Sequence, residues 1–169
     1  MCFTTKNFRT WNANLELIKE SARSNKELII STGMSTLEEV DNAVQTIKNA
    51  NSNCQYSILH CNSSYPAPVE DLNLKCIKTL QERYQCRVGY SGHESILLPS
   101  ILAANMGAVI IERHITLDRT MWGTDQLSSV EPQGLIKLVK GIRELEESFG
   151  DGKIIVTESE KPVRKKLRP

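Results

Sequence analysis

The feature that most constrains the fold of this chain is a regular alternation of short apolar runs and longer stretches of helical period. Four apolar runs predict buried strands: Leu28–Ser31, Tyr56–His60, Arg87–Tyr90 and Ala108–Glu112. Between them, apolar residues recur every three or four positions, as in Leu37, Val40, Val44 and Ile47 or Leu74, Ile77 and Leu80. This β-α-β-α order requires parallel strands joined by right-handed crossovers.

The two ends of the pattern suggest part of a larger architecture. An opening helix, capped by Asn12 or Asn14, follows no visible strand, and Pro132 suits the first turn of a last helix that ends near Gly150. The alternatives are an open doubly wound sheet and an arc of a (β/α)₈ barrel. A complete barrel takes about 250 residues, so four units would form half of one. The basic tail 161–168 shows no amphipathic period and is interpreted as a linker or solvated end.

Composition excludes several classes of function. A length of 169 residues predicts one domain, and a net charge of +1 argues against a nucleic-acid partner. No apolar run approaches the roughly 18 residues that a bilayer span needs, so we expect a soluble, cytoplasmic protein with no membrane partner. The five cysteines are odd in number and never spaced as C-x-x-C, which predicts reduced thiols.

All three histidines fall at the carboxyl ends of predicted strands, where parallel α/β folds place their ligands. His93 and His114 follow successive strands, so their rings can converge on a divalent ion used as a Lewis acid. Glu112 precedes His114 by two residues and points the same way, as a proton donor or acceptor or as a partner for sugar hydroxyls. The alternatives are histidines that only hydrogen-bond in loops and an ordinary ion pair for Glu112.

Polar segments at other strand ends predict anion and sugar contacts. Hydroxyls and backbone amides recur after three strands, in Ser31-Thr32-Gly33, Asn62-Ser63-Ser64 and Ser91-Gly92, and can hold phosphate or carboxylate. The same residue types are also common in turns and helix caps. Tyr65-Pro66-Ala67-Pro68 and Trp122-Gly123-Thr124-Asp125 combine an aromatic ring with rigid or acidic residues, as sugar-binding loops do, although such loops are often only structural.

Five ordered motifs resemble the sialic acid synthase family, which includes the N-acetylneuraminate, legionaminic and pseudaminic acid synthases. The motifs are ISTGM at 30–34, HCNSSYPAPVED at 60–71, GYSGHE at 89–94, ERHITLD at 112–118 and VEP at 130–132. The resemblance implies a (β/α)₈ TIM barrel of which residues 1–152 form the C-terminal half, with one helix before the last four β/α units. Residues 153–169 would be a linker toward an antifreeze-like domain that this sequence lacks.

The resemblance also implies a reaction and a role for each matching residue. The family condenses phosphoenolpyruvate with an N-acylated hexosamine, of the N-acetylmannosamine type, to give a sialic acid and phosphate. His93 and His114 match the ligands of a Mn²⁺ or Mg²⁺ ion that polarises the sugar aldehyde, and with Glu112 they match the catalytic set. The remaining positions match substrate contacts: Ser31, Ser63 and Ser91 for phosphoenolpyruvate, and Tyr65 and Asp125, beside Glu112, for the sugar. Gln126 departs from the family, where many members have histidine.

Parts of the family's site have no counterpart in this sequence. The family's first four strands carry a metal-facing glutamate and phosphate-binding lysines, so we expect an N-terminal half-barrel as partner, a homodimer in the complete enzyme, and incomplete activity of this chain alone. Two alternatives remain: a noncatalytic half-barrel that associates with a partner or with itself, and another phosphoenolpyruvate-condensing synthase of 3-deoxy sugar acids.

Overall fold

The strands of the protein form a single parallel sheet in chain order, as seen in a computed structural model that describes residues 14–24 and 26–168. They are β1 (Leu28–Ser31), β2 (Tyr56–Cys61), β3 (Arg87–Gly92) and β4 (Ile111–Arg113). Each strand pairs in parallel with the next one along the chain. Four neighbouring parallel strands in sequence order form the half-barrel that the sequence predicts.

Helices alternate with these strands and cover one face of the sheet. They are α1 (Leu15–Arg23), α2 (Leu37–Ala50), α3 (Cys76–Tyr84), α4 (Leu98–Asn105), α5 (Pro132–Ser148) and α6 (Lys161–Leu167). Short 3-10 turns at Val69–Asp71 and Gln126–Ser128 interrupt the loops after β2 and β4. Every crossover from β1 to β4 therefore contains a helix, as parallel strands require.

Local signals explain where three helices begin. Asn14 caps α1, because its side chain accepts a hydrogen bond of 3.0 Å from the Leu17 amide. The other predicted cap, Asn12, lies outside the described residues. Thr36 and Glu39 form a reciprocal capping box at the start of α2. Pro132 lies in the first turn of α5, where a missing amide hydrogen costs no helical bond.

The hydrophobic core lies between the sheet and its helices. Ile30, Ile58, Val88 and Tyr90 point from the strands toward the helices, and each is at most 1% exposed. Because side chains alternate along a strand, Ser31, Leu59, Ser91 and Glu112 point to the opposite, inner face. This inner face and the carboxyl ends of the strands are the places where polar side chains gather.

The observed elements match most of the predicted boundaries. β1 covers the predicted residues, whereas β2 and β3 extend beyond theirs to Cys61 and Gly92. β4 begins later than predicted, at Ile111, although the Val109 amide already donates to the Val88 carbonyl at 2.9 Å. The last helix ends at Ser148, close to the predicted Gly150.

The tail, which the sequence predicts as a linker or solvated end, contains a short helix. Lys161–Leu167 forms the short helix α6, preceded by Glu160, whose carboxylate accepts hydrogen bonds from the Thr157 amide (2.9 Å) and hydroxyl (2.8 Å). All residues of α6 are exposed, so local bonds alone support this helix. The sequence missed it because it has no apolar stripe to reveal its period.

Two further expectations concern membrane spans and thiols. Within the described residues, no helix combines the length and apolarity that crossing a bilayer requires. Cys54, Cys61, Cys76 and Cys86 are free thiols, as predicted, while Cys2 lies outside the described residues.

Candidate active site at the carboxyl ends of the strands

Three aromatic rings meet where β2, β3 and β4 end. The ring centroids of His93 and His114 are 5.1 Å apart and the rings are nearly perpendicular. The Tyr65 ring lies 4.2 Å from that of His93 and 5.4 Å from that of His114. The two histidines expected to share a ligand are therefore neighbours, as successive strands in one sheet require.

Backbone bonding fixes the tautomer of His93. Its Nδ1 lies 2.6 Å from the carbonyl oxygen of Asn62, which can only accept, so Nδ1 carries the proton. The opposite nitrogen, Nε2, lies 3.2 Å from the Tyr65 hydroxyl and accepts a hydrogen bond from it. His93 thus presents an unprotonated nitrogen toward the ring cluster, as a metal-binding imidazole must.

His114 has a carboxylate beside its corresponding nitrogen. Asp125 Oδ2 lies 3.7 Å from His114 Nδ1, and Thr124 donates a hydrogen bond of 2.8 Å to Asp125 Oδ1. A carboxylate beside Nδ1 favours a proton on that nitrogen. Sequence reasoning assigned Asp125 to the sugar, and the structure adds this second relation, which the long loop after β4 makes possible.

Electrostatics favour the neutral form of His93. Burial lowers the pKa of His93, and the Asn62 carbonyl and the charges of Glu112 and Glu94 only partly oppose it. The ring is only 4% exposed. A neutral imidazole near pH 7 is the form that binds a cation.

Glu112 and Ser91 form a polar pair on the inner face. Ser91 donates a hydrogen bond of 2.8 Å to Glu112 Oε1, and the two residues are cross-strand partners of β3 and β4. Ser91 is buried, and Glu112 is partly exposed. The carboxylate therefore lies on the inner face, bonded to Ser91 and partly open to solvent.

Ser63 approaches the end of β1 through Gly33. A Cβ added at Gly33 would lie only 2.1 Å from Ser63 Oγ and 3.1 Å from Cys61 Sγ. The absence of a side chain at Gly33 therefore lets the loop after β2 pack on the loop after β1. Ser31 lies two residues earlier on the inner face, so the hydroxyls of Ser31, Ser63 and Ser91 belong to three successive strand ends.

His60 was grouped with the other two histidines by its place at a strand end, but its side chain points into the helix layer. Its Nε2 lies 2.6 Å from the Leu72 carbonyl, and burial lowers the pKa of His60, with that hydrogen bond opposing. The alternation along β2 places it opposite to Cys61 and explains the difference.

The sequence analysis missed a buried ion pair beneath the rings. Glu94 and Arg113 are 0% and 4% exposed in their side chains, and Arg113 Nη1 lies 3.0 Å from Glu94 Oε1. The alternation of β4 turns Arg113 away from Glu112, toward the helix face of the sheet. Glu94 carried no periodic signal, and its partner is distant in the chain, so no local pattern could have revealed the pair.

The donor set suits an open metal site. A buried imidazole whose Nδ1 is bonded to backbone, a second imidazole packed beside it and a carboxylate nearby are typical of catalytic sites for divalent ions. Within residues 14–24 and 26–168, no group of three or more His, Cys, Asp or Glu side chains converges as a complete metal-binding set. The described residues therefore fit as a partial ligand set whose other positions are open to water, substrate or another chain segment.

A groove of about 730 Å³ lies next to this site but does not contain it. Its walls come from the start of α2, from α3 and from the loops after β1 and β2, and include Thr36, Val40, Thr79 and Ser63. Neither His93 nor His114 lines it. We place the candidate site at the ring cluster, because no charged side chain lines the groove and its one histidine, His60, is bonded to the Leu72 carbonyl.

The fold and this ring cluster define a half-barrel of the parallel β/α class with its polar site at the strand ends. The sequence profile of the NeuB family matches residues 10–154. The chain belongs to the NeuB family.

Similar proteins agree with this assignment. The chain is 40% identical over 158 residues to N,N'-diacetyllegionaminic acid synthase of Legionella pneumophila, covering 92% of this chain and 44% of that protein. It is 36% identical over 138 residues to N-acetylneuraminate-9-phosphate synthase of Homo sapiens, covering 81% and 38%. The chain thus spans about half the length of the curated relatives it matches.

A solved structure shows the same arrangement of elements. The crystal structure of N-acetylneuraminic acid (sialic acid) synthetase from Leptospira borgpetersenii, in complex with citrate, superposes with a TM-score of 0.80 at 36% identity. The match covers 95% of this chain and 56% of that protein. The predicted fold, half of a synthase barrel, is therefore confirmed.

Proposed function

We propose that this chain supplies the C-terminal half of the active site of a sialic acid synthase, which condenses phosphoenolpyruvate with an N-acylated hexosamine. The observation that carries the proposal is the His93–His114 pair, 5.1 Å apart, with Nδ1 of His93 bonded to backbone and Nδ1 of His114 beside a carboxylate. Membership in a family of named sialic, legionaminic and pseudaminic acid synthases supports it.

The two histidines would hold a divalent ion, Mn²⁺ or Mg²⁺, through their Nε2 atoms. A bound ion supplies Lewis acidity that polarises the aldehyde oxygen of the open-chain sugar. Tyr65 donates to His93 Nε2 in the structure, so its hydroxyl must turn to another acceptor, such as a sugar oxygen, when that nitrogen coordinates. This exchange brings Tyr65 to the sugar contact that the sequence predicts.

Glu112 is the residue that we propose for proton transfer during condensation. In the reaction, C3 of phosphoenolpyruvate attacks the sugar aldehyde, water adds at C2, and phosphate leaves by cleavage of its carbon–oxygen bond. Glu112 is partly exposed, accepts a hydrogen bond from Ser91, and can exchange a proton with the water or with the new hydroxyl. Asp125, 3.7 Å from His114 Nδ1, would orient that ring and meet the sugar.

Hydroxyl groups from three strand ends would hold the phosphate and carboxylate of phosphoenolpyruvate. Ser31, Ser63 and Ser91 are small, uncharged donors, and Arg113 is committed to Glu94 on the other face. Arg113 is the one cation at the carboxyl ends of the four described strands, so we expect the cations that two anionic groups require to come from another segment. This need supports the proposal that a complementary N-terminal half-barrel completes the site.

Assembly with that half-barrel, and homodimerisation of the complete enzyme, belong to the same proposal. The relatives are about twice as long as this chain, and β1 and β4 each have one edge without a strand neighbour in the described sheet. Parallel strands are stable when both edges pair and both faces are covered. The complete barrel would satisfy both conditions.

The experiment that tests the function measures Mn²⁺ binding and phosphate release for His93→Ala and His114→Ala. Each variant, assembled with the missing half, should lose Mn²⁺-dependent release of phosphate by at least about a hundredfold, because each removes a ligand. Calorimetry should show the same loss of Mn²⁺ affinity. His60→Gln is the matched control, since that histidine lies in the helix layer, and it should bind Mn²⁺ normally. Normal turnover in either alanine variant would contradict the proposal.

The main alternative is a noncatalytic half-barrel that binds a partner or itself through its open edges. The ring cluster favours the enzyme, because an association module has no use for two imidazole rings packed together at the strand ends. A wild-type chain that forms a stable assembly but neither binds Mn²⁺ nor releases phosphate would favour the alternative.

A further inference from the structure

A buried ion pair links the two residues that adjoin the candidate metal ligands. Glu94 follows His93 directly, and Arg113 directly precedes His114. The side chains of Glu94 and Arg113 are 0% and 4% exposed and are joined at 3.0 Å. The pair thus connects the loop after β3 to the end of β4.

Further hydrogen bonds make this pair the centre of a network. Arg113 Nη1 also donates to the carbonyl of Ile96 and to Ser100 Oγ, both at 3.0 Å, and Nη2 donates to the carbonyl of Glu94. Glu94 accepts from the Tyr90 hydroxyl at 2.9 Å and from Ser100 at 3.2 Å. Both carboxylate oxygens are therefore held, and the guanidinium binds the loop after β3 through backbone as well as side chain.

Gly92 leaves the space that the Glu94 carboxylate occupies. A Cβ added at Gly92 would lie 2.8 Å from Glu94 Oε2 and 2.9 Å from Oε1. The carboxylate therefore packs directly against the backbone that leads into His93. The Glu94 carboxylate is thus held between the Gly92 backbone and the charge of Arg113.

Stability alone gives a poor reason for such a pair. Removing two charges from water costs about as much as their attraction returns, and apolar residues of similar volume commonly replace buried pairs without loss. A fixed geometry is the benefit that apolar packing does not provide, because guanidinium and carboxylate bonds are directional. The benefit falls on the residues next in the chain, which are His93 and His114.

We propose that Glu94 and Arg113 are positioning residues that set the spacing and orientation of the His93 and His114 rings for one shared ligand. The metal-binding role of this ring spacing rests on the proposed function. The spacing of the two rings can be measured without a metal. Metal affinity should fall roughly 10- to 100-fold when the outer support of the ligands is removed.

The test compares ring geometry, Mn²⁺ affinity and thermal stability in the 169-residue chain and four variants. Glu94→Gln keeps the shape and removes the charge, and Arg113→Lys keeps the charge and removes the planar fork. Both should weaken the nuclear Overhauser effect between the ring protons of His93 and His114 and lower Mn²⁺ affinity. Val40→Ala, a core change in α2 with no contact to the pair, is the control for lost stability. It should lower the melting temperature and leave ring contact and Mn²⁺ affinity unchanged.

Tyr90→Phe keeps the inference testable if Glu94→Gln or Arg113→Lys does not fold. It removes one hydrogen bond to Glu94 and leaves both charges in place, so it should reduce Mn²⁺ affinity in the same direction by a smaller factor. Folded variants of the pair with unchanged ring contact and unchanged Mn²⁺ affinity would overturn the inference. A wild-type chain that fails to bind Mn²⁺ when it is assembled with the missing half-barrel, while Glu94→Gln still disrupts the ring contact, would contradict the proposed function and support the inference.

Discussion

At the scale of residues, the site depends on which nitrogen of each imidazole is already engaged. His93 gives Nδ1 to the Asn62 carbonyl, and Asp125 lies beside Nδ1 of His114. His60, by contrast, uses Nε2 for the Leu72 carbonyl and faces the helices. The three histidines lie at equivalent strand ends but in two different environments, the ring cluster and the helix layer. The direction in which each side chain points determines which environment it has.

A first prediction concerns the pH dependence that His60 contributes to stability. Burial lowers the pKa of His60 below its ordinary value of 6.5, so the unfolded chain binds a proton more readily than the folded one. Stability from this group is therefore present above about pH 6.5 and is lost as the pH falls toward the folded pKa. His60→Gln should destabilise the chain less at pH 5.5 than at pH 7.5.

Urea unfolding of wild type and His60→Gln at both values checks this prediction. The other histidines are common to both proteins, so their titration cancels in the difference. An equal difference in unfolding free energy at pH 5.5 and pH 7.5 would show that His60 titrates normally in the folded chain.

A second prediction concerns the close approach at Gly33. Gly33→Ala would place a carbon 2.1 Å from Ser63 Oγ, which forces Ser63 or the backbone to move. The chain should lose about 1–3 kcal/mol of unfolding free energy. The double variant with Ser63→Gly should recover most of that stability in urea unfolding, since it removes the clashing atom. No recovery in the double variant would place the strain elsewhere.

Single residues of the site were predictable from the sequence only in part. The strand ends and their alternation indicate that His93, His114 and Glu112 belong together, and they turn Arg113 to the other face. The ion pair of Glu94 and the short distance between Asp125 and His114 depend on how the loops fold. Loop conformation leaves no periodic pattern in the sequence, so neither contact was predictable. Roles for these residues in catalysis stay predictions.

At the scale of elements, the entry into α2 provides a quantitative test of local structure. Thr36 Oγ1 accepts from the Glu39 amide at 3.3 Å, and the Glu39 carboxylate accepts from the Thr36 amide at 2.7 Å. Thr36→Ala should cost about 1 kcal/mol of unfolding free energy, because amides at the helix start lose their acceptor.

The matched control for this capping prediction lies within the same helix. Thr46 donates its hydroxyl to the Asn42 carbonyl at 2.8 Å, where the backbone already has helical partners. Thr46→Ala should change the unfolding free energy by less than about 0.5 kcal/mol, since alanine favours a helix interior. Equal losses at both positions, measured by urea unfolding, would argue against the capping box as the source of stability.

Elements with an apolar face were predicted well, and those without one were not. β1 and the α2 stripe follow directly from periodicity, because burial of one face fixes both the period and the length. β4 is short and begins late, although Val109 and Ile110 already bond to β3. The α6 helix depends on local bonds at Thr157 and Glu160 and has no buried face, so hydrophobic pattern could not indicate it.

At the scale of the whole molecule, an apolar surface continues beyond the last β/α unit. α5 exposes Leu135, Ile136 and Val139 to 38%, 60% and 50%, and α4 exposes Leu98 and Leu102 to 58% and 42%. α5 contacts α4, on the β4 side of the sheet. A neighbouring β/α unit of a complete barrel would cover this surface.

This surface gives the last prediction, on assembly. When the chain is mixed with the N-terminal half of a relative's barrel, the two should elute together as a larger species in size-exclusion chromatography. Ile136→Lys should weaken the association about tenfold or more, because it exchanges buried apolar area for a charge. Ile154→Lys is the control, since Ile154 is fully exposed after α5. Equal weakening by both substitutions would contradict an interface on α5.

The ring cluster, its backbone and carboxylate anchors and the Glu94–Arg113 pair all come from residues 60–128, one uninterrupted stretch of sequence. That stretch can therefore be exchanged as a single cassette. A chimera that carries it into the framework of a legionaminic or neuraminic relative would inherit the imidazole geometry intact, whereas a crossover point between β3 and β4 would join a glutamate and an arginine that had not evolved together.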